Sequence, residues 1–386
     1  MVLPDQFPQA SAFDIVACRD CGMAYSTMAA NPAEMEAYYA STESLASQLA
    51  LPPDTVAPAW QDARLGTVAE MIALRLSDRD ARILDVGCGS GALLAHLRAR
   101  GFKALVGVDP TLAAAASGRS IGLDIREGTV TRLPHDLGIF DLVVLSHVVE
   151  HLPDPGHALD SLTTVLHPGG LVSVDVPDAT RLAAFVKLPF LEFSTEHLNY
   201  FSGESLCALM GRRGFECVSL EPGTFVLQPG IDYPSLSCLF RLSERVHHSP
   251  PDPALALALR AYVAACERCV AGFDRRLEDK VGPGRSVAVR GMGDLAWNLL
   301  AATGLSRLEI DAYIDASPQK QRLTIGGRPI RPPSVALSER IPVILLSLLH
   351  EGPMIEAARA DHPGHPIIPL SQLLPPVGTP AAEGRP

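Results

Sequence analysis

The sequence predicts an α/β protein built on two parallel sheets, and three observations carry that prediction. Short β-branched apolar runs alternate with helical segments twice along the chain, as successive βαβ units require. Both series open alike, with a strand that runs into a glycine turn and then a helix: RILDVGCGSG at 82–91 and SVAVRGMGD at 286–294. The strand runs are almost continuously apolar, which suits parallel strands covered on both faces. At 386 residues the chain is long enough for two or three domains, and 47% hydrophobic against 19% charged residues supplies the surface for packed cores.

Taken in order, residues 1–58 read as a small irregular N-terminal module with one cysteine pair, Cys18-x-x-Cys21, and a tyrosine-rich stretch, EAYYAS, in which Tyr38 and Tyr39 end a short helix. Residues 59–230 form the first α/β domain, with strands expected at 82–87, 104–109, 141–146 and 171–176. Residues 231–284 read as a helical linker whose main feature is one long helix of about 25 residues, opened by the prolines at 250–253 and ended by VGPGR. Residues 285–375 repeat the αβ alternation with strands at 286–291, 309–315 and 342–347. The tail 376–386 has too little apolar content to pack and is expected to be disordered.

Lys and Arg number 32 against 43 Asp and Glu, a net charge of −11, which argues against a general grip on nucleic acid or an anionic membrane. No apolar run approaches a membrane span and the first residues lack the pattern of a signal peptide, so a cytoplasmic protein is expected. The eight cysteines are scattered without a compact framework, which fits a reducing compartment without disulfides.

The strongest chemical signal is ILDVGCGSGALLAHL at 83–97. A buried strand carries Asp85, and Gly87, Gly89 and Gly91 then let the backbone turn tightly and let a ligand approach the main chain. Eighteen residues beyond Gly91, the next strand ends at Asp109, whose carboxylate can accept from both hydroxyls of a ribose. These residues, with FDLVVLSHVVEHLPDP at 140–155 and LHPGGLVSVDVPD at 166–178, resemble the class I S-adenosylmethionine (SAM)-dependent methyltransferases over about 150 residues. The resemblance implies a Rossmann-like domain that uses SAM, with Asp85 and Gly87, Cys88, Gly89 and Gly91 at the methionine end, Asp109 and Pro110 at the ribose, Thr129 and Val130 at the adenine, and Ser146 and His147 alongside. The acid ahead of the glycines suits an ammonium-bearing ligand better than a pyrophosphate. Glu150-His151, which follows the strand DLVVLS, reads first as a structural turn.

A second constellation, EFSTEHLNYFSGESL at 192–206, places Glu196, His197 and Tyr200 ahead of a helix that begins near Ser202. A histidine beside a carboxylate can take a proton near neutral pH. This segment resembles the EH-x-x-Y-x-S motif of the deoxysugar C-methyltransferases, which also carry an N-terminal cysteine module and a second, C-terminal Rossmann-like domain. The resemblance implies His197 as general base on the carbon beside a sugar ketone, with Glu196, Tyr200 and Tyr39 in the substrate pocket, and a nucleotide-linked sugar as acceptor. Two departures stand out: Ser194-Thr195 replaces a Tyr-His pair, and one cysteine pair stands where the family binds zinc with two. Zinc is therefore not expected, nor any other metal. O- or N-methylation of a natural-product or polysaccharide intermediate is the alternative.

The later turn, GMGDLA at 291–296, fits Gly-x-Gly-x-x-Ala, with Asp315 at the end of the next strand. Acceptor binding or plain scaffolding is the first expectation for it. A non-catalytic binding module, or an NAD-dependent enzyme using this turn, are the rivals from other classes.

Overall fold

The computed structural model describes residues 13–28, 35, 59–111, 116, 118–228, 231–243, 245–246, 251–282, 284–338, 340–348 and 350–374. Tyr39 and the tail from 376 lie outside the described residues. The chain divides into two compact units.

One unit comprises Asp14–Leu182 and Thr195–Leu259. It begins with two short strands, β1 (Ile15–Ala17) and β2 (Ala24–Ser26), followed by helix α1 (Ala59–Arg75). Then come β3 (Arg82–Val86), α2 (Ala92–Ala99), β4 (Ala104–Asp109), β5 (Asp124–Glu127), β6 (Phe140–Ser146), α3 (Pro155–Leu162) and β7 (Leu166–Pro177). The unit continues through β8 (Asn199–Tyr200), α4 (Gly203–Gly211) and a long hairpin, β9 (Phe215–Gln228) and β10 (Ile231–Leu242). Seven strands form one sheet in the order β5-β4-β3-β6-β7-β10-β9; β10 is antiparallel to both of its neighbours, and the other pairs are parallel.

The apolar strand runs have a direct structural cause. On one face Ile83, Leu142 and Val144 pack with Leu65, Val68 and Ile72 of α1 and Leu93 and Leu97 of α2. On the other, Leu84, Val86, Val143 and Leu145 pack with Leu159 and Leu162 of α3 and Leu206 and Met210 of α4. Neighbouring residues of one strand point to opposite faces, so burying both faces leaves no place for a polar alternate. Helix α3 starts on Pro155 with the Asp154 carboxylate accepting from His157 N at 3.0 Å. Helix α4 starts on a reciprocal cap: Ser202 Oγ accepts from Ser205 N and Ser205 Oγ from Ser202 N.

Two sequence expectations are corrected here. Residues 231–242 are not helical linker but strand β10, inserted between β7 and β9; its inward residues Leu236, Cys238 and Phe240 are buried in the sheet core. The long helix, α5, spans Pro253–Val281, 29 residues. The N-terminal strands also do not stand apart, because β2 pairs with β8 through Ala24–Tyr200 and Tyr25–Asn199 within the same unit.

The other unit includes Ala183–Ser194 and the residues from Arg260 on. Helix α5 carries a buried stripe, Tyr262, Cys266, Cys269, Phe273, Leu277 and Val281, at helical spacing. Cys266 Sγ accepts from Phe190 N and Tyr262 Oη from Glu192 N, so these side chains tie the 183–194 segment to the helix. Beyond it lie β11 (Ser286–Arg290), α6 (Asp294–Ala302), β12 (Glu309–Ile314), β13 (Thr324–Ile325), β14 (Arg328–Arg331), β15 (Val343–Leu345), α7 (Glu351–Asp361) and β16 (Ile367–Pro369). They form a six-stranded sheet, β13-β14-β12-β11-β15-β16, parallel except for the β13–β14 hairpin. That hairpin closes on Gly326-Gly327, both at positive φ, the conformation a two-residue turn needs to match strand twist. Among the described residues no helix is long and apolar enough to cross a membrane.

Candidate active site

In the seven-stranded sheet, α2 carries the chain from β3 to β4 on one side, and α3 carries it from β6 to β7 on the other. Divergent connections leave a crevice at the carboxyl ends of β3 and β6, the place where open parallel sheets bind ligands. Residues Asp85–Gly91 leave β3 there, Ser146-His147 leave β6, and Asp109 ends β4 next door.

Gly87, Gly89 and Gly91 all have positive φ, at 76°, 53° and 85°. A Cβ on Gly87 would stand 2.6 Å from Val148 Cγ2, and one on Gly91 2.6 Å from Leu123 Cδ1, so packing alone demands glycine at both. A Cβ on Gly89 would meet nothing within 4 Å; this residue borders open space, where a ligand can lie against bare main chain. Cys88 turns its thiol away into a small cluster with Leu94, Leu123 and Ile125 and offers the crevice only its backbone.

Asp109 accepts from Gly89 N at 2.7 Å on one oxygen and from Thr111 N at 2.8 Å on the other. A carboxylate has about four acceptor sites, so capacity for two ribose hydroxyls remains. Burial raises its pKa, against the lowering effect of those N–H donors. Asp85 is pushed up to about 7 by burial first and by the nearby Asp109 charge second, with Arg64 opposing. A buried acid poised at neutrality fits a ligand that brings a positive charge, as the ammonium of SAM does. Pro110 follows Asp109 at the rim, and the Gly128–Val130 turn closes the far side of β4: Gly128 N donates to Asp109 O, Thr129 pairs with Arg132, and Val130 is buried in the core. The residues present therefore fit the cofactor.

Ser146 and His147 are held by a network the sequence reading missed. Arg64, on α1, donates to Ser146 Oγ at 2.7 Å and to Asp175 Oδ2 at 2.6 Å, and Ser237 Oγ donates to the other Asp175 oxygen at 3.0 Å. His147 N donates to Asp175 O at 2.7 Å, and His147 adopts φ 55°, a left-handed conformation rare for a non-glycine residue. One signal was available: Asp175 interrupts an otherwise apolar strand, and a buried charge needs a partner. The partner lies 111 residues away, with nothing local to mark it.

Just beyond His147, the 3-10 turn Val149–His151 buries Glu150. Its pKa is raised by burial, with His151 and His197 acting against that. His151 Nδ1 donates to the Glu196 carbonyl at 2.9 Å, and its pKa is pushed down to about 4, chiefly by burial. His197 stands against it, ring centroids 5.0 Å apart. The sequence-expected trio thus separates. His197 joins Glu150 and His151; Glu196 meets His151 through its backbone; Tyr200 is a buried β8 residue whose hydroxyl donates to the His197 carbonyl at 3.0 Å.

In the other unit, the second glycine turn is built differently. Met292 N donates to Asp315 Oδ2 at 2.7 Å and Ser317 N to Oδ1 at 2.8 Å, as Gly89 and Thr111 do with Asp109. However, Lys320 Nζ lies 3.7 Å from Asp315, the Met354 side chain lies against Gly291, and Met292 is fully buried.

Residues 61–220 match the family described as a methyltransferase domain. Over 324 residues the chain is 28% identical to the C-methyltransferase NovU of Streptomyces niveus, covering 77% of this chain and 74% of that protein. It is 31% identical over 122 residues to a ubiquinone biosynthesis O-methyltransferase of Colwellia psychrerythraea, a match that covers 28% of this chain and half of that relative. Among solved structures it is similar to magnesium protoporphyrin IX methyltransferase of Synechocystis PCC 6803 with bound S-adenosylhomocysteine, with a TM-score of 0.42 and 15% identity over 55% of this chain and all of that one. With Asp85, the three positive-φ glycines and Asp109 gathered at the switch point of the sheet that this match covers, residues 61–220 form a SAM-dependent methyltransferase domain.

Proposed function

We propose that this enzyme methylates a small biosynthetic acceptor, a nucleotide-linked deoxysugar, at the carbon beside a ketone, with His197 taking the proton. Supporting this reading is the placement of His197: an imidazole beside Glu150 and His151, which themselves lie a few residues past the Ser146-His147 rim of the cofactor crevice. The likeness to a C-methyltransferase across 77% of the chain, well beyond the cofactor domain, adds support.

Bound SAM supplies a methyl carbon made electrophilic by its sulfonium, which leaves as a neutral thioether. The protein's own contribution is position and proton handling. Asp85 would face the ammonium, the Gly87–Gly91 main chain would hold the methionine end, Asp109 the ribose, and the Gly128–Val130 turn the adenine. The Arg64–Asp175 pair ties Ser146 and the His147 backbone to β7 and so positions this rim. His197 accepts the carbon-bound proton and returns it to solvent after transfer. The second glycine turn serves as scaffold or acceptor support.

Incubation with labelled SAM and a 4-ketosugar nucleotide in deuterated water tests the reaction. Deuterium should wash in beside the ketone, and its absence would count against carbon methylation. His197→Ala should lower turnover by about 10²–10⁴-fold with SAM affinity unchanged.

A second reading, methylation of an acceptor hydroxyl, is favoured by one specific observation: Glu150, His151 and His197 each bring a ligand atom within 4.8 Å of the others, more than a lone base requires.

A further inference from the structure

We propose that Glu150, His151 and His197 bind one first-row divalent cation beside the cofactor crevice. One ligand atom from each of these side chains lies within 4.8 Å of the others, and no other such group of His, Cys, Asp and Glu occurs among the described residues. Small side-chain rotations bring such atoms to the roughly 2.0–2.2 Å typical of metal–nitrogen and metal–oxygen bonds.

Glu150 is the independent pointer. It is 1% exposed, and neither carboxylate oxygen accepts a hydrogen bond in the structure. Burying a carboxyl group with one close imidazole contact and no well-aligned hydrogen bond is costly, and a cation is a partner that lowers the cost. The groups that do approach Oε1 are imidazole nitrogens, His147 Nδ1 at 3.0 Å and His151 Nε2 at 3.9 Å. Arg64, the nearby guanidinium, is already spent on Asp175 and Ser146.

The hydrogen bonds around the cluster prepare it for ligation. A carbonyl can only accept, so the 2.9 Å contact with Glu196 O fixes the proton of His151 on Nδ1 and leaves the Nε2 lone pair facing Glu150. The two segments that bear the ligands are stapled together: Leu198 N donates to Glu150 O, and Asn199 Nδ2 to the Val149 and Leu152 carbonyls. The backbone segments that bear the ligands are therefore held together by the fold. Two imidazoles and one carboxylate suit manganese, iron, cobalt, nickel or zinc better than the all-oxygen preference of magnesium or calcium.

Three protein ligands leave coordination positions open to oxygen atoms of the acceptor. A hydroxyl bound there loses its proton more easily, the proton passing to solvent water as the metal-held oxygen takes the methyl group, and His197 is then a ligand and not a base. That consequence rests on the hydroxyl-methylation reading above, and cation binding at His197 counts against the carbon-methylation reading, in which His197 is the base.

The test uses the full chain, stripped with a chelator and titrated with Co²⁺, followed by visible absorption and calorimetry. One equivalent should bind, with a spectrum lacking the intense bands of thiolate ligation. Affinity should fall at least tenfold in Glu150→Gln and in His197→Ala, with circular dichroism confirming the fold of each, and should hold in the Cys18→Ser/Cys21→Ser double variant. Absence of binding, or binding lost in the cysteine variant and kept in the other two, overturns the proposal. If the cation binds as described yet its removal leaves methyl transfer unchanged, the site stands and the hydroxyl-methylation reading loses its mechanism.

Discussion

The two glycine turns of this chain share a plan and differ in what surrounds it. In each, a strand runs into glycines, a helix follows, and the acid ending the next strand accepts two backbone N–H groups: Asp109 from Gly89 and Thr111, Asp315 from Met292 and Ser317. Around the first turn the ligand side is open at Gly89, and the buried Asp85 stands two residues before the first glycine. Around the second, Val289 holds the place of Asp85, and Lys320 and Met354 crowd the turn. A glycine fingerprint therefore encodes a backbone path, and the side chains around it decide whether that path becomes a site.

The sharpest way to break this comparison is to remove both acids. Asp109→Ala and Asp315→Ala each strip an acceptor from two backbone N–H groups, so each should cost about 1–3 kcal/mol of stability. Only Asp109→Ala should weaken SAM binding, by about 10–100-fold, as expected for losing hydrogen bonds to a charged group. Calorimetry on both proteins checks this; equal losses would erase the distinction between the turns.

Asp85→Asn probes the acid that the second turn lacks. Its folded pKa of about 7 lies above the usual 3.8, so any stability linked to this group is intact below about pH 4 and lost as pH rises toward 7, where the unfolded chain ionises and the folded one resists. The asparagine variant escapes that loss. Its melting temperature should match the parent near pH 4 and exceed it increasingly toward pH 7, while its SAM affinity falls. Parallel melting curves across pH would contradict the assignment.

The smallest contrast comes from adding one methyl group. Gly89→Ala places a Cβ in open space at φ 53°, and should cost about 1–2 kcal/mol from left-handed strain and weaken SAM binding several-fold. Gly293→Ala lies at φ −95° with its Cβ 3.7 Å from Lys320 Nζ, an ordinary contact, so stability should change by no more than about 0.5 kcal/mol and SAM binding not at all. Paired melts and titrations read both.

Much of the fold could be read directly. The strands at 82–86 and 286–290 fall where apolar runs meet glycine and that at 104–109 where one meets Asp109-Pro110, because a parallel strand covered on both faces leaves a contiguous signature. Strand β10 was missed because an antiparallel strand lying among polar and turn-forming residues such as Asp232, Pro234 and Ser235 carries no such run. The cofactor side of the site was equally legible, since Asp85, the glycines and Asp109 lie within 25 residues and share one local motif. The surroundings of His197 were legible only in part. His197 was visible as a motif residue, whereas its neighbours Glu150 and His151 read as a turn, and Arg64 and Asp175 were not visible as a pair.

Local chemistry explains what the sequence determined by itself: two αβ layers, a glycine turn with its acids, and an acidic net charge. These follow from hydrophobic period, backbone freedom and charge count, all properties of neighbouring residues. Only the tertiary structure decided which turn stays open, that β8 and the N-terminal strands join the methyltransferase unit, and that Glu150, His151 and His197 meet. The last depends on a crossing of segments some 46 residues apart, and burial of a carboxyl group becomes visible only once the chain has closed around it.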